Sequence, residues 1–219
     1  MVGRESFQGE LQQVEQLIIR LAKKTKEQLT LAVESLYDSD VEKAELVIQN
    51  DVDLDKLDLK INEEAIVLIA RQQPVATDLR RLVVAIRIST DLERMADNAK
   101  NIAKSTVRLG KDHGMTVHPS IKEMKKIAIE MIDLAIKAYE NEDISLARKL
   151  SEFDDMVDHM YSTMLRELLE ETATEPQKIQ HIMQMAFSGR YVERIGDHAT
   201  NIGEDVTFLV KGESLDLNY

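Results

Sequence analysis

The 219-residue chain has no cysteine, no tryptophan, 3 prolines, 8 glycines and 4% aromatic residues. Each shortage excludes something. Without cysteine there are no disulfides, thiolate zinc sites, iron–sulfur clusters or cysteine nucleophiles, and a reducing compartment fits. Average usage would supply roughly 15 glycines and 11 prolines, so almost nothing here punctuates strands. Positive charge is also short: 28 Lys and Arg face 40 Asp and Glu, for a net charge of -12. That argues against a nucleic-acid partner, which needs a basic face to displace counterions. Long apolar runs are absent. The longest, Ala65-Ile-Val-Leu-Ile-Ala70, is far short of the ~18 residues of a membrane span. The opening MVGRESFQGEL has no apolar core like that of a signal peptide. A soluble cytoplasmic protein is expected.

What remains is Leu, Ile, Ala, Glu, Lys, Met and Asp, mostly helix formers. The composition therefore predicts an all-α fold. Apolar spacing and breakers place a first helix at Arg4–Tyr37 and a second at Val41–Gln72, split by the Asp38-Ser-Asp40 turn and cap. Pro74 is expected to open a third helix ending near Leu109-Gly110. Residues 111–118 form the one long non-helical stretch. Pro119 opens a fourth helix to Tyr139, a turn at Asn141–Asp143 precedes a fifth to Thr172, and Pro176 opens a sixth to Val210. Helices of ~30 residues are ~45 Å long, which predicts an elongated six-helix bundle.

The chain also repeats itself. Asp91-LERMADNAKNIA103 matches Tyr191-VERIGDHATNIG203 at an offset of 100, with Glu93/Glu193, Arg94/Arg194, Asp97/Asp197, Asn101/Asn201 and Ile102/Ile202 identical. Upstream, Asp51-VDLD55 corresponds to Asp154-DMVD158 at an offset of 103, and Pro74 to Pro176 at 102. Matched motifs in matched order predict two tandem three-helix repeats, 1–112 and 113–219, within one compact unit.

The acids need an account. Chance alone gives roughly seven acid pairs at i,i+4 in a chain this acidic, most on solvated faces. Asp51 and Asp154, however, fall in the apolar register of the second and fifth helices. Glu93, Asp97, Glu193 and Asp197 flank the seams Leu92/Ala96/Ala99/Ala103 and Val192/Gly196/Ala199/Gly203. An acid facing a helix seam must be paired, protonated or bound to a cation. Pairs at i,i+4 on two neighbouring antiparallel helices converge four carboxylates, which repel unless a cation relieves them. The candidate metal ligands are thus Asp51, Asp55, Glu93 and Asp97 in the first half and Asp154, Asp158, Glu193 and Asp197 in the second. Salt bridges through Arg94 and Arg194 are the competing reading. Asn101 and Asn201 read as donors to the ligands or as helix–helix hydrogen bonds. The small residues read as close packing of the third helix on the sixth. His113 and His118 fall in the loop and read as solvated; His159 and His198 turn away from the ligand face.

The paired E-R-x-x-D-x-x-x-N-I frames, with Arg71-QQPVATDLR80, resemble the PhoU family over the whole chain. The resemblance implies a six-helix fold of two repeats and metal clusters on the acidic motifs. It implies a non-enzymatic, metal-binding regulator of phosphate uptake and phosphate-responsive signalling. The implied partner is the phosphate-specific ABC transporter, through its ATPase or a membrane subunit; a sensor histidine kinase is a further implied partner, and a homodimer the implied assembly. The implied cofactors are divalent or trivalent ions held by carboxylates, iron or zinc first, with manganese, nickel and magnesium as alternatives. In the second copy Tyr191 replaces Asp91 and His198 replaces Asn98, so the two sites are expected to differ. An alternative is a carboxylate-bridged metal store or di-iron-type bundle, but no histidine here has the Glu three residues earlier that such sites use. A histidine phosphotransfer bundle needs an exposed helical histidine. No phosphate-cradling glycine loop occurs, so nucleotide binding is not expected.

Overall fold

In the computed structural model, which describes residues 2–111, 114 and 116–213, six helices form. They are α1 (Val2–Asp38), α2 (Val41–Gln72), α3 (Ala76–Leu109), α4 (Ser120–Asn141), α5 (Ile144–Thr174) and α6 (Ile179–Lys211), with a 3-10 turn at Pro176–Lys178 before α6. Among the described residues there is no strand, and no helix is long and apolar enough to cross a membrane.

The caps explain the repeat. Asp40 accepts a hydrogen bond from the Lys43 N–H at 2.9 Å, and Asp143 accepts from Ser145 and Leu146 at 2.7 and 3.3 Å. These caps start the second helix of each half. The residues before them, Ser39 and Glu142, both take left-handed backbone, with φ of 53° and 51°. Pro176, expected to open the sixth helix, opens the 3-10 turn instead, and α6 itself begins at Ile179. Pro74 does not open α3. Gln73 adopts the left-handed cap of α2, its N–H bonding the Ile69 carbonyl, and Val75 is extended, so the helix begins only at Ala76. A residue before proline is pushed out of the right-handed region, and here that ends α2 rather than starting α3.

Each half is a three-helix bundle. α3 packs on α1 and α2, α6 packs on α4 and α5, and the halves meet through α3 against α6 and α1 against α4. Among the described residues α2 and α5 touch only helices of their own half. The core is continuous across the junction and is built of fully buried side chains such as Ile18, Leu36, Leu92, Met95, Met124, Ile195 and Ile202. Replacing Leu92, which is fully buried, with alanine is expected to cost about 3 kcal/mol of unfolding free energy. Leu59→Ala, at a residue 58% exposed, is expected to stay within about 0.5 kcal/mol. Chemical denaturation of the two variants checks the pair; equal losses would mean the core is not where the buried seam lies.

Two expectations change. The small-residue stripe does not serve α3–α6 packing at its most conspicuous member: Gly196 faces its own half. A Cβ there would sit 3.2 Å from Asp154 Oδ1 and 3.5 Å from Met131 Sδ. The α3–α6 contact is instead partly polar. Asp91 accepts from Asn201 Nδ2 at 3.3 Å and lies 2.9 Å from His198 Nδ1, while Arg87 donates to Asp205 at 3.0 Å. Positions 196 and 198 lie on nearly opposite sides of a helix, which is why one faces inward and the other across. His118 is also not solvated. Its ring nitrogen lies 2.8 Å from Glu167 on α5, and its carbonyl accepts from the Tyr37 hydroxyl at 2.6 Å. His113 lies outside the described residues.

Candidate metal centres

Each acidic group lies in the groove between two helices of one half, α2–α3 or α5–α6. The second is the more concentrated. Oxygens of Asp154, Asp158 and Asp197 all lie within 4.8 Å of one another. Asp154 is buried, Asp197 half-buried and Asp158 exposed, so the trio runs from core to solvent. Asp154 Oδ1 is buried and accepts no hydrogen bond among the described residues. Burial, then the charges of Asp158, Asp197 and Asp155, push the Asp154 carboxyl up to about 7. Asp158 and Asp197 are raised as well, again by burial first.

Glu193 stands beside the trio. One oxygen pairs with Arg190 three residues earlier, whose guanidinium lies 6.0 Å over the Tyr161 ring. The other, Oε2, is buried without a partner among the described residues. Burial and Asp197 push Glu193 up to about 7, against the pull of Arg190. Three of the four predicted second-half acids thus converge, and the fourth is drawn partly aside by a cation of its own helix.

The first half brings Asp51, Asp55, Glu93 and Asp97 into the corresponding groove, but a lysine lies among them. Lys100 Nζ forms ion pairs with both Asp51 Oδ2 and Asp97 Oδ1. Burial works against the Lys100 charge, but its hydrogen bonds to Asp51 and Asp97 outweigh that and hold it more firmly protonated than usual. Gln28 of α1 donates to the other Asp51 oxygen at 2.8 Å and to the Ala96 carbonyl at 3.3 Å. Asp51, only 2% exposed, therefore has both oxygens satisfied. Glu93 is pushed up to about 6 by burial and then by Asp97, Asp55, Asp58 and Asp51. Asp55 is raised by burial and Asp51. Asp58, one turn beyond Asp55 on α2, accepts from Ser89 at 2.5 Å and Asn62 at 2.9 Å.

Among the described residues the cations that form ion pairs with these acids are Lys100 and Arg190, while Arg194 and His198 act on Asp197 only through their charge. Arg94 and Arg194 are exposed. Lys100, Gln28 and Arg190 escape a reading based on matched positions, because the repeat does not match them: their counterparts are Thr200, Met131 and Thr90. The departure from the repeat at 100/200 was the available signal. Asn201 takes the helix–helix role, whereas Asn101 stays on its own helix and accepts from Lys104 at 3.4 Å. His198 turns to Asp91 and His159 is exposed.

A carboxylate set fits a cation better than any other ligand. All donors are hard oxygens suited to divalent or trivalent ions, and a buried carboxylate oxygen without a hydrogen bond is costly unless something positive meets it.

The comparisons agree with this architecture. The model of the PhoU domain matches the chain twice, at residues 18–106 and 121–206. A phosphate-specific transport system accessory protein PhoU homolog from Clostridium acetobutylicum is 33% identical over 98% of this chain and 99% of its own length. One from Aquifex aeolicus is 36% identical over 93% of this chain and 92% of its own. The crystal structure of PhoU from Pseudomonas aeruginosa superposes with a TM-score of 0.89 at 31% identity, covering 94% of this chain and all of that one. Two domain matches, full-length relatives and a shared six-helix fold lead to one conclusion: the chain belongs to the PhoU family.

Proposed function

We propose that this protein is a non-enzymatic, metal-binding accessory regulator of phosphate uptake and phosphate-responsive signalling. It acts in the cytoplasm on the phosphate-specific ABC transporter, at the ATPase or a membrane subunit. A sensor histidine kinase is a further partner, and the working form is a homodimer. The names of the full-length relatives support the transport role. One observation carries the metal: Asp154, whose carboxylate clusters with those of Asp158 and Asp197, keeps a buried oxygen without a partner among the described residues. Asp154, Asp158 and Asp197, with Glu193 beside them, would hold the ion. It would neutralise carboxylates that otherwise repel and so tie α5 to α6. Iron and zinc lead, with manganese, nickel and magnesium as alternatives, since availability and ligand number decide among them. The halves 1–112 and 113–219 are read as two repeats of one unit.

The test is a triple replacement, Asp154→Asn/Asp158→Asn/Asp197→Asn, in cells whose own copy is deleted. Protein purified without a histidine tag is expected to lose most of its metal by elemental mass spectrometry, and a phosphate-starvation reporter is expected to lose repression at high phosphate. Normal metal content and normal repression in a folded triple variant would remove both the site and its role.

A further inference from the structure

The two acidic grooves share a backbone register but are neutralised differently. Asp51 and Asp154 correspond at an offset of 103, as do the two helix caps Asp40 and Asp143; Asp97 and Asp197 correspond at 100. In those same registers Lys100 corresponds to Thr200 and Gln28 to Met131.

The consequences are local and opposite. In the first half the ammonium of Lys100 lies between Asp51 and Asp97, the acids of the two facing helices, and Gln28 takes the remaining Asp51 oxygen. In the second half the Thr200 hydroxyl donates to the Asp197 carbonyl of its own helix at 2.7 Å. The Met131 thioether sits near Gly196, where Asp154 Oδ1 also lies. A thioether is at best a weak acceptor and cannot donate a hydrogen bond to a carboxylate. Asp154, 9% exposed, keeps an oxygen with no donor among the described residues. Arg190 does not make up the loss: it bonds Glu193 of its own helix, and its charge acts on Asp158 and Asp197 without a bond to Asp154.

We propose that Lys100 is a built-in cation that closes the first-half groove, so that the second-half groove alone takes a metal ion. A lysine ammonium supplies one positive charge and three donors at the point where an ion would bridge the two helices. A metal entering there must displace that ammonium from two carboxylates and leave it half-buried beside a cation. In the second groove Arg190 pairs with Glu193 of its own helix, and among the described residues no cation bridges the acids of the two facing helices. The inference rests on the metal-binding reading above and adds which half is used and which residue decides it.

The experiment exchanges the deciding residues. Full-length, untagged protein is stripped with chelator, equilibrated with Mn2+ and measured for bound manganese, with helicity checked by circular dichroism. Wild type is expected to lose its manganese with Asp154→Asn/Asp158→Asn and to keep it with Asp51→Asn/Asp55→Asn. Lys100→Thr is expected to bind about twofold more manganese per chain than wild type, because it opens the first groove. Thr200→Lys is expected to bind almost none. If Lys100→Thr does not fold, Lys100→Met, which keeps the length and drops the charge, replaces it. Manganese lost from wild type equally through first-half substitutions, or unchanged in the Lys100 variants, overturns the lysine assignment and leaves the metal reading standing. A wild type that binds no manganese, iron or zinc overturns both.

Discussion

Without metal, at pH 8, Asp154→Asn is expected to stabilise the protein by about 2 kcal/mol, or roughly 4 to 8 °C in Tm for a chain of this size. Most substitutions of buried residues destabilise, so the sign is the informative part. It follows from the cost of charging Asp154. Its carboxyl titrates at 3.8 in ordinary surroundings and is pushed up to about 7 here by burial and the charges of Asp158, Asp197 and Asp155. Between those values the folded state holds the proton and the unfolded state has released it. Stability therefore falls as pH rises from about 4 to about 7. Glu193, raised to about 7, and Glu93, raised to about 6, act in the same direction and titrate together with their neighbours. The full shift at Asp154 would exceed 4 kcal/mol at about 1.4 kcal/mol per unit, and sharing of charge with partly solvated Asp158 and Asp197 roughly halves it. An amide at position 154 removes that share of the slope. Thermal melts in chelator at pH 5, 6, 7 and 8 are expected to show wild type losing stability with rising pH and Asp154→Asn losing less. Saturating metal is expected to flatten the wild-type curve, because the ion takes over the neutralisation that the proton provides at low pH. A wild-type melt that is flat or rises across this range would mean the groove carries no repulsion for an ion to relieve.

How much of this was legible in the sequence depends on what each residue must agree with. The helices were legible because their signals are local: Asp40 and Asp143 cap, Pro176 opens a turn, and apolar residues recur at helical spacing. Pro74 misled because its effect fell on the helix before it, through the left-handed Gln73 and extended Val75. The acids were legible because duplication picks eight positions out of a chain rich in solvated Asp and Glu. The partners of those acids were not. Lys100 and Gln28 reach Asp51 from different helices, and nothing along the chain records that 28, 51 and 100 share a groove. Comparison of the halves searches for identity, so it passes over the positions where the halves differ, and those positions decide how each groove is neutralised. The small residues carried a further ambiguity: a glycine in a seam announces close approach but not of what, and Gly196 proves to admit Asp154 rather than α3.

Arg87→Ala is expected to weaken the junction between the halves by about 2 to 4 kcal/mol at pH 8, and by much less at pH 5. Arg87 stands on α3 and donates to Asp205 on α6 at 3.0 Å, with its guanidinium 5.2 Å from the centroid of the Phe208 ring. Asp205 is 8% exposed, and burial pushes its carboxyl up to about 6 even with Arg87 beside it, with Asp91 and Glu204 adding to the rise. Removing the guanidinium leaves a buried carboxylate facing other acids. Its pKa then rises further, so below about pH 6 the folded protein holds the proton and the loss shrinks to that of a hydrogen bond and a ring contact. The cost is therefore present at high pH and fades as pH falls, the reverse of ordinary acid denaturation. Arg87→Ala/Asp205→Asn, which removes both charges, is expected to recover much of the loss at pH 8, since an intact pair is worth less than the penalty for breaking it. Denaturation of the single and double variants at both pH values separates the terms. A single variant that loses the same amount at pH 5 and pH 8 would show that Arg87 holds α3 to α6 by packing on Phe208. Asp205 would then need no counter-charge, and the polar contacts between the halves would rest on other pairs, among them Asp91 with His198 and Asn201, Arg81 with Glu142 and Lys26 with Asp133.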